Sequence, residues 1–139
     1  WNNSFIYTLA GGWGDKENSL IIKGFIDNKE VASKEIGELR SMNKLEVTPD
    51  DLELSLDKTS YDATRIVVKL LDNLGEVLFL NNDFIEVEID GPLSIMGPSK
   101  FGISGGVTAF WVRTQGKKGL CKIKVKSMYF EEEISIEVK

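Results

Sequence analysis

Apolar and polar residues alternate along most of this chain. In Phe84-Ile85-Glu86-Val87-Glu88-Ile89, the residues Ile85, Val87 and Ile89 share one face and the glutamates take the other. Cys121, Ile123 and Val125 alternate with Lys122, Lys124 and Lys126, and Ile134, Ile136 and Val138 with Glu133, Ser135 and Glu137. A repeat of two residues places one side chain in a core and the next in water, the signature of a half-buried β-strand. Further strands are predicted at 5–9, 19–26, 30–36, 44–48, 52–56, 64–71, 76–80, 93–96 and 107–114. No window carries a convincing 3.6-residue repeat. The expected core comprises Ile66, Val68, Ile85, Val87, Ile89, Ile123, Val125, Ile134 and Ile136.

Turn residues separate these runs. Asp27-Asn28-Lys29 joins 19–26 to 30–36 as a hairpin. Asp72-Asn73-Leu74-Gly75 suits a type I turn closed by a glycine at positive φ, a hairpin connection. Asp90-Gly91-Pro92 and Gly97-Pro98 end strands, because proline cannot continue a central ladder. Gly116 to Gly119 reads as a tight turn. Strands every 8 to 12 residues with turns between them indicate an all-β fold, an antiparallel immunoglobulin-like β-sandwich. About eight strands follow residue 44, enough for one such sandwich over 45–139. Residues 1–44 offer about three strands, which cannot bury a core alone. That segment is expected to pack as a hairpin on the sandwich or to belong to a preceding Ig-like domain.

Composition narrows the chemistry. The chain has 139 residues, 42% hydrophobic and 28% charged, the make-up of a globular domain. Its net charge of −5 argues against nucleic acid and anionic membranes as partners, which call for a basic face. No apolar run is long enough to span a membrane. The start, Trp1-Asn2-Asn3-Ser4, lacks the basic segment and apolar run of a leader, as would any domain excised from a longer protein. There is no histidine, which excludes Ser-His-Asp and Cys-His nucleophilic sites. With one cysteine besides, a zinc site is not expected. Cys121 has no internal disulfide partner and falls on the buried face of its strand, an inert core thiol.

The remaining candidates are carboxylates, glycines and aromatics. A glycosidase needs two carboxyl groups across a cleft, but Glu86 and Glu88 occupy an outward face and Glu131-Glu132-Glu133 sits beside the last turn. Solvated surface is the expected reading of both. Asp50, Asp51 and Asp62, or Asn81-Asn82-Asp83, supply oxygen ligands of the kind calcium takes, without EF-hand spacing; ordinary turn roles are expected instead. Gly102-Ile103-Ser104-Gly105-Gly106 and Gly116-Lys117-Lys118-Gly119 lack a phosphate-binding pattern. No catalytic, metal or cofactor-binding residue is therefore assigned. Aromatics can stack on sugar rings or pack at an interface. Trp13, flanked by Gly12 and Gly14, is the leading candidate, with Trp1 and Tyr7 nearby in sequence. In Ala109-Phe110-Trp111-Val112 one ring faces the core and the other faces outward or into an interface.

A resemblance enters through the order and spacing of several motifs. Leu45-Glu46-Val47-Thr48-Pro49-Asp50-Asp51-Leu52-Glu53-Leu54, Tyr61-Asp62-Ala63-Thr64-Arg65-Ile66-Val67-Val68 and Asp72-Asn73-Leu74-Gly75 come first. Val87-Glu88-Ile89-Asp90-Gly91-Pro92, Ile95-Met96-Gly97-Pro98 and Gly105 through Thr114 follow. Together they resemble a C-terminal β-sandwich of bacterial glycoside hydrolase family 2 enzymes, the β-galactosidase and β-glucuronidase-like proteins. Leu20 to Ile36 resembles the segment preceding that sandwich. A glycine frequent in the family near Lys58-Thr59-Ser60 is missing here.

The resemblance implies a non-catalytic accessory domain. In that family the catalytic glutamates lie on a separate (β/α)₈ barrel, which needs more than 139 residues, so none is carried onto this chain. The implied partners are the remaining domains of the parent enzyme, further copies in an oligomer, and the carbohydrate substrate of the parent, with no cofactor. The module would support the barrel, make inter-domain or oligomer contacts, or shape substrate access. Arg65 is expected to pair with Asp62 or Glu88, and a single unpaired cysteine suits a cytoplasmic enzyme. The alternatives are a bacterial Ig-like cell-surface or adhesion module, against which the lack of internal repeats speaks, and a carbohydrate-binding module.

Overall fold

The computed structural model describes residues 19–37, 44–56 and 59–139. The chain separates into two compact units, Trp1–Glu38 and Leu39–Lys139. In the first, β1 (Ser19–Ile26) and β2 (Lys29–Gly37) form an antiparallel ribbon. Asp27 and Asn28 turn the chain with φ of +48° and +61°. Two successive left-handed residues match the twist of the flanking strands, and Asp and Asn tolerate that conformation better than other side chains. The register slips at Gly24/Phe25, where glycine admits a bulge.

The second unit is a β-sandwich. One sheet has five strands in the order β4 (Glu53–Leu54), β11 (Glu131–Val138), β10 (Gly119–Lys126), β6 (Asp83–Asp90) and β8 (Lys100–Ile103). The other has four, in the order β3 (Lys44–Pro49), β5 (Ala63–Leu71), β9 (Val107–Thr114) and β7 (Leu93–Ile95). Every pairing is antiparallel except the short edge pair β4–β11, which is parallel. Consecutive strands mostly switch sheets; among the described strands of this unit, only β10 and β11 are sequence neighbours that pair.

The alternation predicts which side chains meet between the sheets. Ile85, Val87, Cys121, Ile123, Val125, Ile136 and Val138 are buried from one side, facing Leu45, Ile66, Val68, Leu70, Phe110 and Val112 from the other. Ile89 and Ile134, expected in this core, are partly buried at its margin. Phe101 and Phe110 lean on each other across the sandwich, ring centroids 5.8 Å apart and tilted by 52°, an arrangement aromatic quadrupoles favour.

Three strand expectations change. Residues 76–80 form no strand: Val77 bridges Leu71 and the chain then turns. The Asp72–Gly75 turn does form, with Gly75 at φ +80°, and the antiparallel pairing it closes is short: one bridge, Leu71 to Val77, flanked by the Asp72–Glu76 and Leu78–Leu70 backbone hydrogen bonds. Segment 52–56 contracts to the two residues of β4. Strand β8 was not anticipated, because Gly102 interrupts its apolar pattern. Residues 5–9 lie outside the described residues.

Two glycines set the sheet-to-sheet crossings. A Cβ on Gly91, between β6 and β7, would fall 2.7 Å from Cys121 Cα, and one on Gly106, before β9, 2.5 Å from the Leu78 carbonyl oxygen. Only glycine lets the backbone pass that closely, and both have positive φ.

Candidate interaction surfaces

Trp1, Tyr7 and Trp13, the aromatics singled out for contact with sugar or a neighbouring domain, lie outside the described residues. The other sequence candidates can be placed.

The carboxylates form a charge ladder on the outer face of the five-stranded sheet. In the register, Lys122, Lys124 and Lys126 of β10 lie between Asp90, Glu88 and Glu86 of β6 and Ser135, Glu133 and Glu131 of β11. Lys126 Nζ lies 2.5 Å from Glu88, Lys100 2.8 Å from Glu86 and Lys122 3.1 Å from Glu133. The hydrogen bond from Lys126 holds the Glu88 carboxyl below its usual range and raises the lysine in return. A glycosidase acid has the opposite perturbation, a pKa raised by burial. These groups face solvent and neutralise one another, which suits a charged surface and not general acid catalysis.

The aspartates considered for calcium serve the backbone. Thr64, buried, accepts from the Asp51 amide at 3.0 Å and donates to its carboxylate at 3.3 Å. Asp62 accepts from the Ser55 and Ala63 amides at 2.8 and 2.9 Å, fastening the entry to β5. Arg65 pairs with neither Asp62 nor Glu88. It forks onto Asp50, Nε to Oδ2 at 3.0 Å and Nη2 to Oδ1 at 3.3 Å, because the β3–β5 register brings Asp50 opposite it. Asp72, buried, accepts from the Leu74 and Glu76 amides at 2.8 and 2.9 Å, so its side chain holds the turn closed. Burial pushes the Cys121 thiol up, keeping it protonated and unreactive.

Two exposed apolar surfaces stand out in the sandwich. The first is one end, where β3 begins beside the end of β5, and where loops 72–82, 104–106 and 127–130 gather. Phe79, Leu80, Met128 and Tyr129 are 61%, 72%, 68% and 74% exposed there. An open groove of about 540 Å³, lined by Leu70, Asn81, Asn82, Asp83, Met128, Tyr129 and Phe130, runs between the loops. Ser127 fixes one wall: its amide and hydroxyl donate to the Phe130 carbonyl, and its hydroxyl accepts from the Phe130 amide. The Met128 amide ties to Asp83 of the other wall. Composition alone did not single out these residues. The apolar run Val77-Leu78-Phe79-Leu80 signals them once it is seen not to be a strand.

The second is the outer face of the four-stranded sheet. Of the two adjacent aromatics on β9, Phe110 enters the core and Trp111 points outward, 49% exposed. Trp111 lies opposite Arg65, and Met96 donates its amide to the Trp111 carbonyl from the other side. Two residues on, the Arg113 guanidinium sits 5.2 Å over the Tyr61 ring.

No family model matches the chain. Among known proteins it is 39% identical over 98 residues to a β-galactosidase of Thermoanaerobacterium thermosulfurigenes, covering 70% of this chain and 13% of that enzyme. It is 31% identical over 109 residues to a β-galactosidase of Rhizobium radiobacter, covering 78% of each. Among solved structures, a glycosyl hydrolase family 2 member from Bacteroides cellulosilyticus superposes with a TM-score of 0.70 at 18% identity, over 87% of this chain and 17% of that one. The chain spans 78% of the Rhizobium radiobacter relative but only 13% of the Thermoanaerobacterium one and 17% of the Bacteroides structure. It belongs to the β-galactosidase family, and its sandwich has the fold of a β-sandwich region of glycoside hydrolase family 2 enzymes.

Proposed function

We propose that the chain is the non-catalytic C-terminal accessory region of a β-galactosidase-like enzyme and acts by docking to the rest of that enzyme. The observation that carries this reading is the apolar end of the sandwich. Phe79, Leu80, Met128 and Tyr129 are large, grouped and exposed, the composition of an interface core, where charge is depleted and aromatics and methionine are enriched. A module of this kind supports the catalytic barrel and takes part in inter-domain or oligomer contacts. Trp13, with Trp1 and Tyr7, belongs to the same docking role, and segment 1–44 to a preceding Ig-like domain. A buried free thiol supports a cytoplasmic setting.

The test replaces Leu80 and Tyr129 together by lysine. In the isolated chain the double variant should melt as the parent chain does, since both side chains already face water. In the whole enzyme that contains it, the same substitutions should lower thermal stability and the melting transition should split. An unchanged whole enzyme would reject the docking role. Turnover of an aryl β-galactoside by the isolated chain, surviving repurification and lost in Glu88→Gln, would reject its non-catalytic character.

A further inference from the structure

The charge ladder on the outer face of the five-stranded sheet has an order that ion pairing within one chain does not require. Each strand carries a single sign there. β11 presents Glu131 and Glu133, β10 presents Lys122, Lys124 and Lys126, β6 presents Glu86, Glu88 and Asp90, and β8 presents Lys100. The register sets them in rows: Glu131, Lys126, Glu86 and Lys100 in one, Glu133, Lys124 and Glu88 in the next, Lys122 and Asp90 in the third. Across β11, β10, β6 and β8 the signs run minus, plus, minus, plus. Reversing that order exchanges every sign, so the face is its own electrostatic complement.

We propose that this face binds a second copy of the chain, face to face, about a two-fold axis that runs along the strands between β6 and β10. Such an axis leaves height along the strands unchanged, exchanges β10 with β6 and exchanges β11 with β8. Lys122, Lys124 and Lys126 of one copy then stand over Asp90, Glu88 and Glu86 of the other, and Glu131 stands over Lys100. None of these positions meets its own sign. The contact is isologous, the ordinary symmetry of a homodimer, and two sheets of the same twist pack with their strands nearly aligned. An axis along β10 itself would set lysines over lysines. An axis across the strands would set each strand over its own copy, like charge on like. Charge therefore selects one arrangement and penalises the others.

Phe84 supplies an apolar element. It is exposed on the outward face of β6, two residues before Glu86. The axis brings its copy to the same height, about 5 Å to the side, so the two rings meet and close one end of the seam. The charged groups are not stranded on contact, because each row is already paired within the chain: Lys126 with Glu88, Lys100 with Glu86, Lys122 with Glu133. A second copy adds a partner from above and leaves no buried charge alone. Such an association is weak and sensitive to salt. It does not involve the apolar end, so it stands or falls separately from the docking reading.

The test is sedimentation equilibrium of the 139-residue chain at concentrations up to about 1 mM. At about 0.01 M salt, where charges act over about 30 Å, the mass should approach that of a dimer; at about 1 M, where they act over about 3 Å, it should return to that of one chain. Lys124→Glu with Lys126→Glu, and separately Glu86→Lys with Glu88→Lys, should each weaken self-association by about tenfold or more, because each sets like charges face to face. An equimolar mixture of the two double variants should dimerise again, since the new carboxylates of one meet the new amines of the other. Mixing mends no pair within a chain, so recovery reports contact between copies. Phe84→Ser leaves every charge in place and should also weaken the dimer, which keeps the test decisive if a double variant fails to fold by circular dichroism. The proposal is overturned if the chain is monomeric at low salt, if Phe84→Ser leaves the dimer undiminished, or if the mixture of two folded variants stays monomeric. Association that persists or strengthens at high salt also overturns it, and assigns the contact to the apolar end.

Discussion

Gly91 offers a direct measurement of how tightly the crossing between the sheets is packed. It leaves β6 with φ +131°, and a Cβ there would sit 2.7 Å from Cys121 Cα and 2.8 Å from the Leu120 carbonyl oxygen, both backbone atoms of β10. Backbone in the middle of a sheet has no room to give. Gly97 supplies the control: its φ is +137°, and nothing lies within 4 Å of its Cβ position. Alanine at Gly97 should lose only what the conformation imposes, about 1–3 kcal/mol. Alanine at Gly91 should lose that and the overpacking as well, a further 1–3 kcal/mol or so. A domain of this size is stable by about 5–15 kcal/mol, so Gly91→Ala removes a large share and Gly97→Ala does not. Urea unfolding followed by far-ultraviolet circular dichroism gives both values under one condition. Equal losses for the two variants would refute the close approach, since their φ angles are matched and the space around the added Cβ is not.

Three further outcomes are expected. Val87→Ala, which opens space in the core, should destabilise the sandwich by about 1–3 kcal/mol, while Glu88→Ala on the same strand should leave the unfolding midpoint nearly unchanged; equal effects in urea unfolding would mean the strand faces are reversed. Asp72→Ala orphans the Leu74 and Glu76 amides and should lose about 1–3 kcal/mol, whereas Asp72→Asn keeps an acceptor oxygen and should recover most of it; the same unfolding assay decides, and an equal loss in both would deny the turn-holding role. Cys121, its pKa raised by burial, should react with a disulfide reagent only as fast as the sandwich unfolds. As the folded pKa is the higher one, stability should decline as pH rises above the ordinary thiol range and the unfolded state ionises first. Cys121→Ala should remove that component of the decline, and rapid native-state labelling would contradict the burial.

Strand identity was legible wherever polar and apolar residues alternate strictly, as in β6, β10 and β11, because that pattern is the direct image of a two-sided environment. It failed where the environment is not two-sided. Val77-Leu78-Phe79-Leu80 is apolar throughout, yet only Leu78 enters the core, and its carbonyl is the one Gly106 packs against. Strand β8 was missed for the converse reason: a glycine sits at its centre, and among the described strands it pairs with β6 alone. Turns were legible in their local chemistry but not in what they connect. Asp72 and Gly75 form the expected turn, and the pairing beyond it stops at the Leu71–Val77 bridge. Side-chain pairing was beyond the sequence, since Arg65 meets Asp50 only through the register of β3 on β5. The outward aspect of Trp111 was half visible, as one of two alternatives for adjacent aromatics.

The parallel pairing of β4 with β11 bears on how the polypeptide acquires its shape during synthesis. Residues 53–54 are an early piece of the sandwich and residues 137–138 a late one, yet they are edge neighbours. Lys139 donates to the Leu54 carbonyl and accepts from the Leu56 amide. Before β11 docks, the four-stranded sheet can assemble, but the buried faces of Leu54, Cys121 and Ile123 stay open until Ile136 and Val138 arrive. Closing such distant segments is slow relative to local pairing, and the waiting intermediate exposes β10 as an unpaired edge. The alternating lysines on that strand then act as gatekeepers against premature association between nascent chains.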